Sequence, residues 1–250
     1  MGIRLEFNFK LRRFRTKAVV FALAGGVWAA TAGNLFADNL IPEGALYVTH
    51  SKILRSRFAA GLNYRTEDGS VSSGNLEYDL DVGLLTFFRR YVFKDPNVEK
   101  AQRLTTRLGF AYIPDLRDVE NPADENRGIF EVTGRIPFGG SWLLADRNKG
   151  DFRWIDGVYS ARYRNRVRLE HSMVRGSFKC TPYANAEAYY DFKADEWNRA
   201  DMTLGAEFPW RWSTVLECYF THYETRRGGD GQSWGFVFQK HLVTKPRGGT

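Results

Sequence analysis

Across residues 57–65, Phe58, Ala60, Leu62 and Tyr64 alternate with Arg57, Ala59, Gly61, Asn63 and Arg65. Over 75–84, Leu76, Tyr78, Leu80, Val82 and Leu84 alternate with Asn75, Glu77, Asp79, Asp81 and Gly83, and over 103–112 Leu104, Leu108, Phe110 and Tyr112 alternate with Arg103, Thr105, Arg107, Gly109 and Ala111. Successive side chains of a strand point to opposite faces, so each run predicts a strand with one greasy and one polar face. The rhythm continues. Phe130, Val132, Ile136 and Phe138 oppose Glu131, Thr133 and Arg135; Ala184, Ala186, Ala188, Tyr190 and Phe192 oppose Asn185, Glu187, Tyr189 and Asp191. Met202, Leu204, Ala206 and Phe208 oppose Asp201, Thr203, Gly205 and Glu207, and Trp234, Phe236, Phe238 and Leu242 oppose Ser233, Gly235, Val237, Gln239 and His241. Beyond the first 37 residues no window sustains an apolar stripe at helical spacing.

Turn signals such as "TEDGSVSSG", "FGG", "ADEWN" and "RRGGDG" separate the runs. Segments 45–52 and 87–93 and the pair "SWLLADR"/"DFRWI" are further strand candidates. The count is then 10–12 antiparallel strands in one all-β domain, since neither a linker nor a repeat divides the chain.

The strand around 161–170, "ARYRNRVRLE", is the most unusual. Arg162, Arg164, Arg166 and Arg168 share one face and close on Glu170. Four guanidiniums on one face need a complement, and Glu187, Asp191, Asp201, Glu207 and Glu217 supply it on the strands that follow. Glu77, Asp79 and Asp81 repeat the arrangement between strands carrying Arg57 and Arg65 and strands carrying Arg103 and Arg107. Opposite charges on adjacent strands stabilise pairing, and the planar fork of arginine suits two carboxylates in a crowded interior. An ion-paired structural interior and an anion-guiding ladder are both compatible with this pattern.

The beginning of the chain changes how its net charge of +7 is understood. Arg4, Lys10, Arg12, Arg13, Arg15 and Lys17, with Glu6 as the single acid, precede an uncharged apolar run at 18–32. Small residues follow, so 1–37 read as a secretory signal peptide cut after Ala32 or Ala37. The run is shorter than the ~20 residues of a spanning helix. Removing it removes most of the positive charge, and with it the case for a nucleic-acid partner. Residues 38–242 form the expected barrel and 243–250 a tail. Cys180 and Cys218 are too few for a disulfide framework; with Cys218 outward on a strand and Cys180 in a turn, both are expected to be free.

A soluble β-sandwich would pack the apolar faces together, whereas a membrane barrel would turn them to lipid. Export, strand length, and aromatics near strand ends (Trp154, Trp197, Trp210, Trp212, Tyr223) favour the transmembrane β-barrel.

"GSWLLADRNKGDFRWIDGVYSARYRNRVRLEH" followed by "TPYANAEAYYDFKADEWNRADMTLGAEFPW" resembles a bacterial outer-membrane β-barrel family known as a domain of unknown function. The R-x-R-x-E run, the "PY-x-x-x-E-x-Y-Y-D" segment and the "N-R…G-x-E" segment carry the resemblance, which covers 141–242. It implies a barrel in the bacterial outer membrane, delivered there by the outer-membrane assembly machinery, and it supplies no catalytic residues. One departure is the end of the chain, which runs past Leu242 into "VTKPRGGT" where such barrels finish on an aromatic residue.

Hydrolytic chemistry would need a Ser–His pair with an orienting group. His171-Ser172 is an adjacent pair at the end of the arginine strand, but strand neighbours point apart. His50, His171, His222 and His241 have no metal-ligand spacing, and "EYDLDVG" departs from a calcium loop at its glycine and final acid. No cofactor or metal is expected. The expectation is a monomeric outer-membrane barrel in contact with lipid, either structural or passing small anionic solutes. Its alternatives are a barrel enzyme acting on lipid and a secreted sandwich that binds a ligand.

Overall fold

The computed structural model describes residues 37–84 and 103–244; the signal segment, the strand candidate at 87–93 and most of the tail lie outside them. The elements are strands: β1 (Asn39–Thr49), β2 (Leu54–Arg65), β3 (Val71–Gly83), β4 (Leu104–Ile113), β5 (Glu125–Phe138), β6 (Trp142–Ile155), β7 (Val158–His171), β8 (Met173–Arg175), β9 (Phe178–Asp191), β10 (Glu196–Trp210), β11 (Thr214–Thr225) and β12 (Gly229–Val243).

Each strand pairs with its neighbours, β7 passes to β9, and β12 returns to β1, so eleven strands close a ring. The three-residue β8 only extends the start of β9. Strands that reverse direction at every step meet head to head when their number is odd. The seam is accordingly parallel, running from Asn39↔Ser233 to Thr49↔Val243. The expected antiparallel order therefore fails at this one pairing. The two-sheet sandwich is also overturned, because one sheet closes on itself and leaves no edge.

Local chemistry sets the joints. Asp156 and Gly157 both have positive φ (48° and 75°) and join Ile155 to Val158, the two-residue turn whose twist matches the flanking strands. "SWLLADR" and "DFRWI" are therefore one continuous strand, β6, with "DG" as its turn. Cys180 lies in β9 rather than in a turn, and both cysteines are free.

The usual distribution of polarity is inverted. Buried positions include Arg57, Asp81, Glu125, Glu131, Lys149, Glu187 and Asp201, with Asp79 and Asp151 fully enclosed. Large apolar side chains stand exposed instead, among them Met202 (67%), Leu204 (65%), Ile136 (64%) and Leu76 (55%).

On β9 to β12 the bore is filled differently. Tyrosine rings lie over glycines of the adjoining strand: Tyr183 over Gly205, Tyr219 over Gly235 and Tyr223 over Gly231. Each pair is also a register pair. A Cβ on Gly205 would meet Tyr183 Cζ at 2.5 Å and Tyr219 Cβ at 2.8 Å. Large-on-small packing lets a narrow bore hold rings without straining the wall.

Gly205→Ala should therefore lower unfolding stability by about 1–3 kcal/mol through overpacking. Adding Tyr183→Ala should cost less than the sum of the two single changes, as read from urea midpoints; strict additivity would mean that the ring and the glycine are not coupled.

Candidate functional site: the ion-paired bore

Register brings the opposite charges together. Arg57 is paired with Asp79, Arg55 and Arg107 with Asp81, and Arg162 with Asp151 across adjoining strands. Arg57 reaches Asp79 at 2.9 Å, Glu43 at 2.7 Å and also Glu77. Arg107 Nε donates to Asp81 Oδ1 at 2.7 Å, and its Nη1 stands 3.4 Å from Asp79. The Asp79 carboxylate lies over Gly109, where a Cβ would come within 3.2 Å of its Cγ. The glycine in mid-strand makes room for the acid.

The arginine strand builds the second cluster. Asp151 gathers Arg162 at 3.1 Å, Arg164 at 3.5 Å and Lys149 at 3.6 Å. Glu187 Oε1 accepts from Arg164 Nε at 2.7 Å and Arg147 Nη2 at 2.6 Å. Arg168 joins Glu170 at 2.7 Å and Glu207 at 2.5 Å, and lies 3.6 Å from the Tyr183 ring centroid. Glu217 accepts from Tyr183 Oη at 2.6 Å and from Gln239 Nε2 at 2.9 Å. Tyr189 is faced by Arg162, Arg164 and Arg199, and donates to Asp201 at 2.6 Å. Guanidiniums over aromatic faces add cation–π attraction in a desolvated setting.

Several expected partners take other roles. Arg103 stands exposed just before β4, outside the network. Arg65 turns to Asp68 in the following turn, at 2.6 Å. Asp191 is used to cap its own turn, accepting from the backbone N–H of Lys193 and Ala194. Asp201 serves Arg199 and Tyr189 rather than the arginine ladder. Sequence reasoning missed Glu43, Glu131, Arg147, Lys149 and Asp151, together with Glu125, which holds Arg127 at 2.7 Å and Arg153 at 2.8 Å. On β6 the signal was present at every second position, as Arg147, Lys149, Asp151 and Arg153. Asp146, Asn148 and Gly150 on the other face broke the apolar rhythm and concealed it.

One rim opens into a cavity of about 550 Å³. Arg135, Arg147, Arg166 and Arg168 form one wall; Glu43, Glu207 and Glu217 stand among the residues opposite, and the exposed Ser51 and Lys52 lie at the mouth. Beyond its inner end lie the enclosed Asp79, Lys149, Asp151 and Glu187. Arg166 differs from its neighbours. Its register partner Glu187 is occupied by Arg147 and Arg164, and its own Nε is shut from solvent with no hydrogen-bond partner among the described residues.

The chain matches no model of a known protein family and no curated protein sequence.

The histidines do not assemble a triad. His171 Nδ1 contacts Ser141 Oγ at 3.2 Å, not Ser172, and Trp142 lies against its ring at a tilt of 35°. His50 Nε2 contacts Ser56 Oγ at 2.8 Å. His222 is 3.6 Å from Glu224, and His241 stacks on Tyr47. Among the described residues neither serine-bonded histidine has a carboxylate to orient it, and no cluster of His, Cys, Asp and Glu is arranged to hold a metal. At the opposite rim Asp115 is held well below the usual carboxylate range by hydrogen bonds from the Arg117 side chain and backbone, which tie down the connection between β4 and β5.

Asp151→Ala should destabilise the barrel by about 3–5 kcal/mol, because it leaves three enclosed cations facing one another. Arg103→Ala should stay within about 0.5 kcal/mol of wild type. Guanidinium unfolding in detergent compares them, and equal effects would contradict the network.

Proposed function

We propose that the chain is a bacterial outer-membrane β-barrel, closed across its middle by ion pairs, with a structural role and an arginine-walled vestibule that admits small anions. The apolar exterior around a charged bore is the observation that carries this reading. Trp142 and Trp154 lie near the two ends of β6, twelve residues apart. At ~3.4 Å per residue and a tilt of ~40° they are separated by about 30 Å along the axis, the thickness of a hydrocarbon core. Phe138, Phe178, Phe208 and Trp210 accompany Trp142 at one rim, and Tyr159, Phe192 and Trp197 accompany Trp154 at the other. Aromatic belts suit the lipid–water boundary. A shallow outer groove of about 600 Å³, lined by Leu46, Phe58, Leu76 and Phe110, has the shape and polarity for an acyl chain.

The resemblance read from the 141–242 motifs points to the same compartment and to delivery by the outer-membrane assembly machinery. The odd number of strands departs from the even counts of single-chain bacterial barrels; the parallel seam is its structural consequence. The enclosed ions beyond the vestibule argue against an open pore, and the incomplete His–Ser pairs argue against lipid hydrolysis.

Three measurements test the reading. The protein should sediment with outer membranes and migrate differently in unheated and boiled gels; recovery as a compact soluble species without surfactant would end it. Planar bilayers should show no sustained porin-like conductance. Inorganic phosphate should raise the wild-type melting temperature in detergent, and Arg166→Glu should abolish that shift; an undiminished shift would remove Arg166 from the vestibule's function.

A further inference from the structure

Between the aromatic belts the outward face is largely apolar, and among the described residues β6 and β7 carry a hydrogen-bonded group of polar side chains on it. Asp146 and Asn148 on β6 and Tyr163 and Asn165 on β7 point outward, since their strand neighbours Arg147, Lys149, Arg164 and Arg166 point into the bore. They form a connected network. Asn165 Nδ2 donates to Asp146 Oδ1 at 2.8 Å, Asn148 Nδ2 donates to Asp146 Oδ2 at 3.0 Å, and Tyr163 Oη donates to Asn148 Oδ1 at 2.5 Å. Asn148 lies midway between Trp142 and Trp154, so on the membrane reading the network sits at mid-depth in hydrocarbon. Polar groups at that depth are costly against lipid and mark contacts or function.

The surroundings suit a close protein contact. Gly134 is the register partner of Asp146, and Gly150 that of Tyr163. Ala184, Ala186 and Ala188 run alongside on β9. Small residues allow two backbones to approach, and polar side chains hydrogen-bond across such interfaces.

We propose that this patch is the contact face of a two-fold dimer in the membrane, a second copy of the chain being its occupant; the inference rests on the membrane reading above. The patch complements itself. Asn148 uses one of its two amide hydrogens on Asp146 and keeps the other, while Asn165 Oδ1 accepts no hydrogen bond among the described residues. Asn148 and Asn165 are a register pair. A two-fold axis along the membrane normal sets β6 of one copy against β7 of the other, so the spare hydrogen of Asn148 meets the spare oxygen of the second copy's Asn165, twice. This reciprocity defines an isologous interface. The same operation faces Asp146 toward Val167, its register partner on β7, rather than toward the other Asp146. Lipid would leave these groups without partners. The dimer departs from the monomer expected from sequence.

The test uses the full chain carrying Cys180→Ser and Cys218→Ser, in native outer membranes and in lipid nanodiscs. Val167→Cys, outward on β7 beside the network, with a short bismaleimide should yield a species of twice the protomer mass, and Leu46→Cys, across the ring on β1, should not. Asn148→Leu combined with Asn165→Leu should lower the dimer fraction in nanodiscs at least tenfold while keeping the gel shift of a folded barrel. Any of four results would overturn the proposal: a monomeric wild type in nanodiscs, equal crosslinking from both positions, undiminished dimer in the leucine variant, or crosslinking of Val167→Cys only to a different polypeptide. Soluble fractionation would be seen before any crosslink and would defeat the membrane reading first, taking the dimer with it.

Discussion

An ion enclosed by a protein wall must find its opposite within hydrogen-bonding reach, because its desolvation costs several kcal/mol. In this barrel that requirement governs which strand pairings are acceptable. Moving β7 by two residues against β6 would preserve inward and outward faces, yet it would set Arg162 opposite Lys149 or Arg153 in place of Asp151. Hydrophobic patterning alone forbids only the one-residue slip that reverses the faces. The ions add discrimination between registers of equal polarity, and the Asp156-Gly157 turn fixes the same register from the end of the hairpin.

The ring solves its interior in two ways. From β2 to β7 the bore is packed with carboxylates and guanidiniums, and from β9 to β12 with tyrosines lying over glycines. Arg168 joins the two regions, since it pairs with Glu207 on β10 and stacks over Tyr183 on β9. A tyrosine supplies a bulky body that needs no counter-ion and a hydroxyl that can reach one, as Tyr183 does with Glu217 and Tyr189 with Asp201. The ring face in turn attracts the guanidiniums. On this side the arginines of β7 are held jointly by carboxylates, Glu187 and Glu207, and by the faces of Tyr183 and Tyr189.

Much of this was legible along the chain. Alternation identifies most of the strands and both of their faces, and it sets the acids at 77, 79 and 81 between strands carrying Arg57, Arg65, Arg103 and Arg107, of which Arg57 and Arg107 do pair with them. What the sequence could not express was competition for partners. Asp191 occupies the right strand and parity, but its turn needs backbone capping, and a carboxylate so placed is claimed locally. Arg103 has the right parity and falls just outside the sheet. β6 was read as two fragments because the rule sought an apolar face, and that face carries Asp146, Asn148 and Gly150. The parallel seam depends on a count of strands that boundaries alone do not give. For the glycines at 109, 205, 231 and 235, only the pairing shows which carboxylate or ring each of them admits.

The same alternation bears on how such a chain could travel. A segment of about 20 consecutive apolar residues would be held in the first membrane it met. Interleaving most outward-facing Leu, Phe or Trp with a charged, polar or small residue keeps every window below that length, although large apolar side chains stand exposed on the folded exterior. The charges that break up the apolar runs in the unfolded chain are those that must later be neutralised within the bore. Ion pairing is thus the counterpart of the alternation, and glycine under tyrosine or beneath Asp79 is how the remaining volume is fitted. On this view Asp146 and Asn148 stand apart, because they add polarity to the outward face, where neither transit nor closure of the ring requires it.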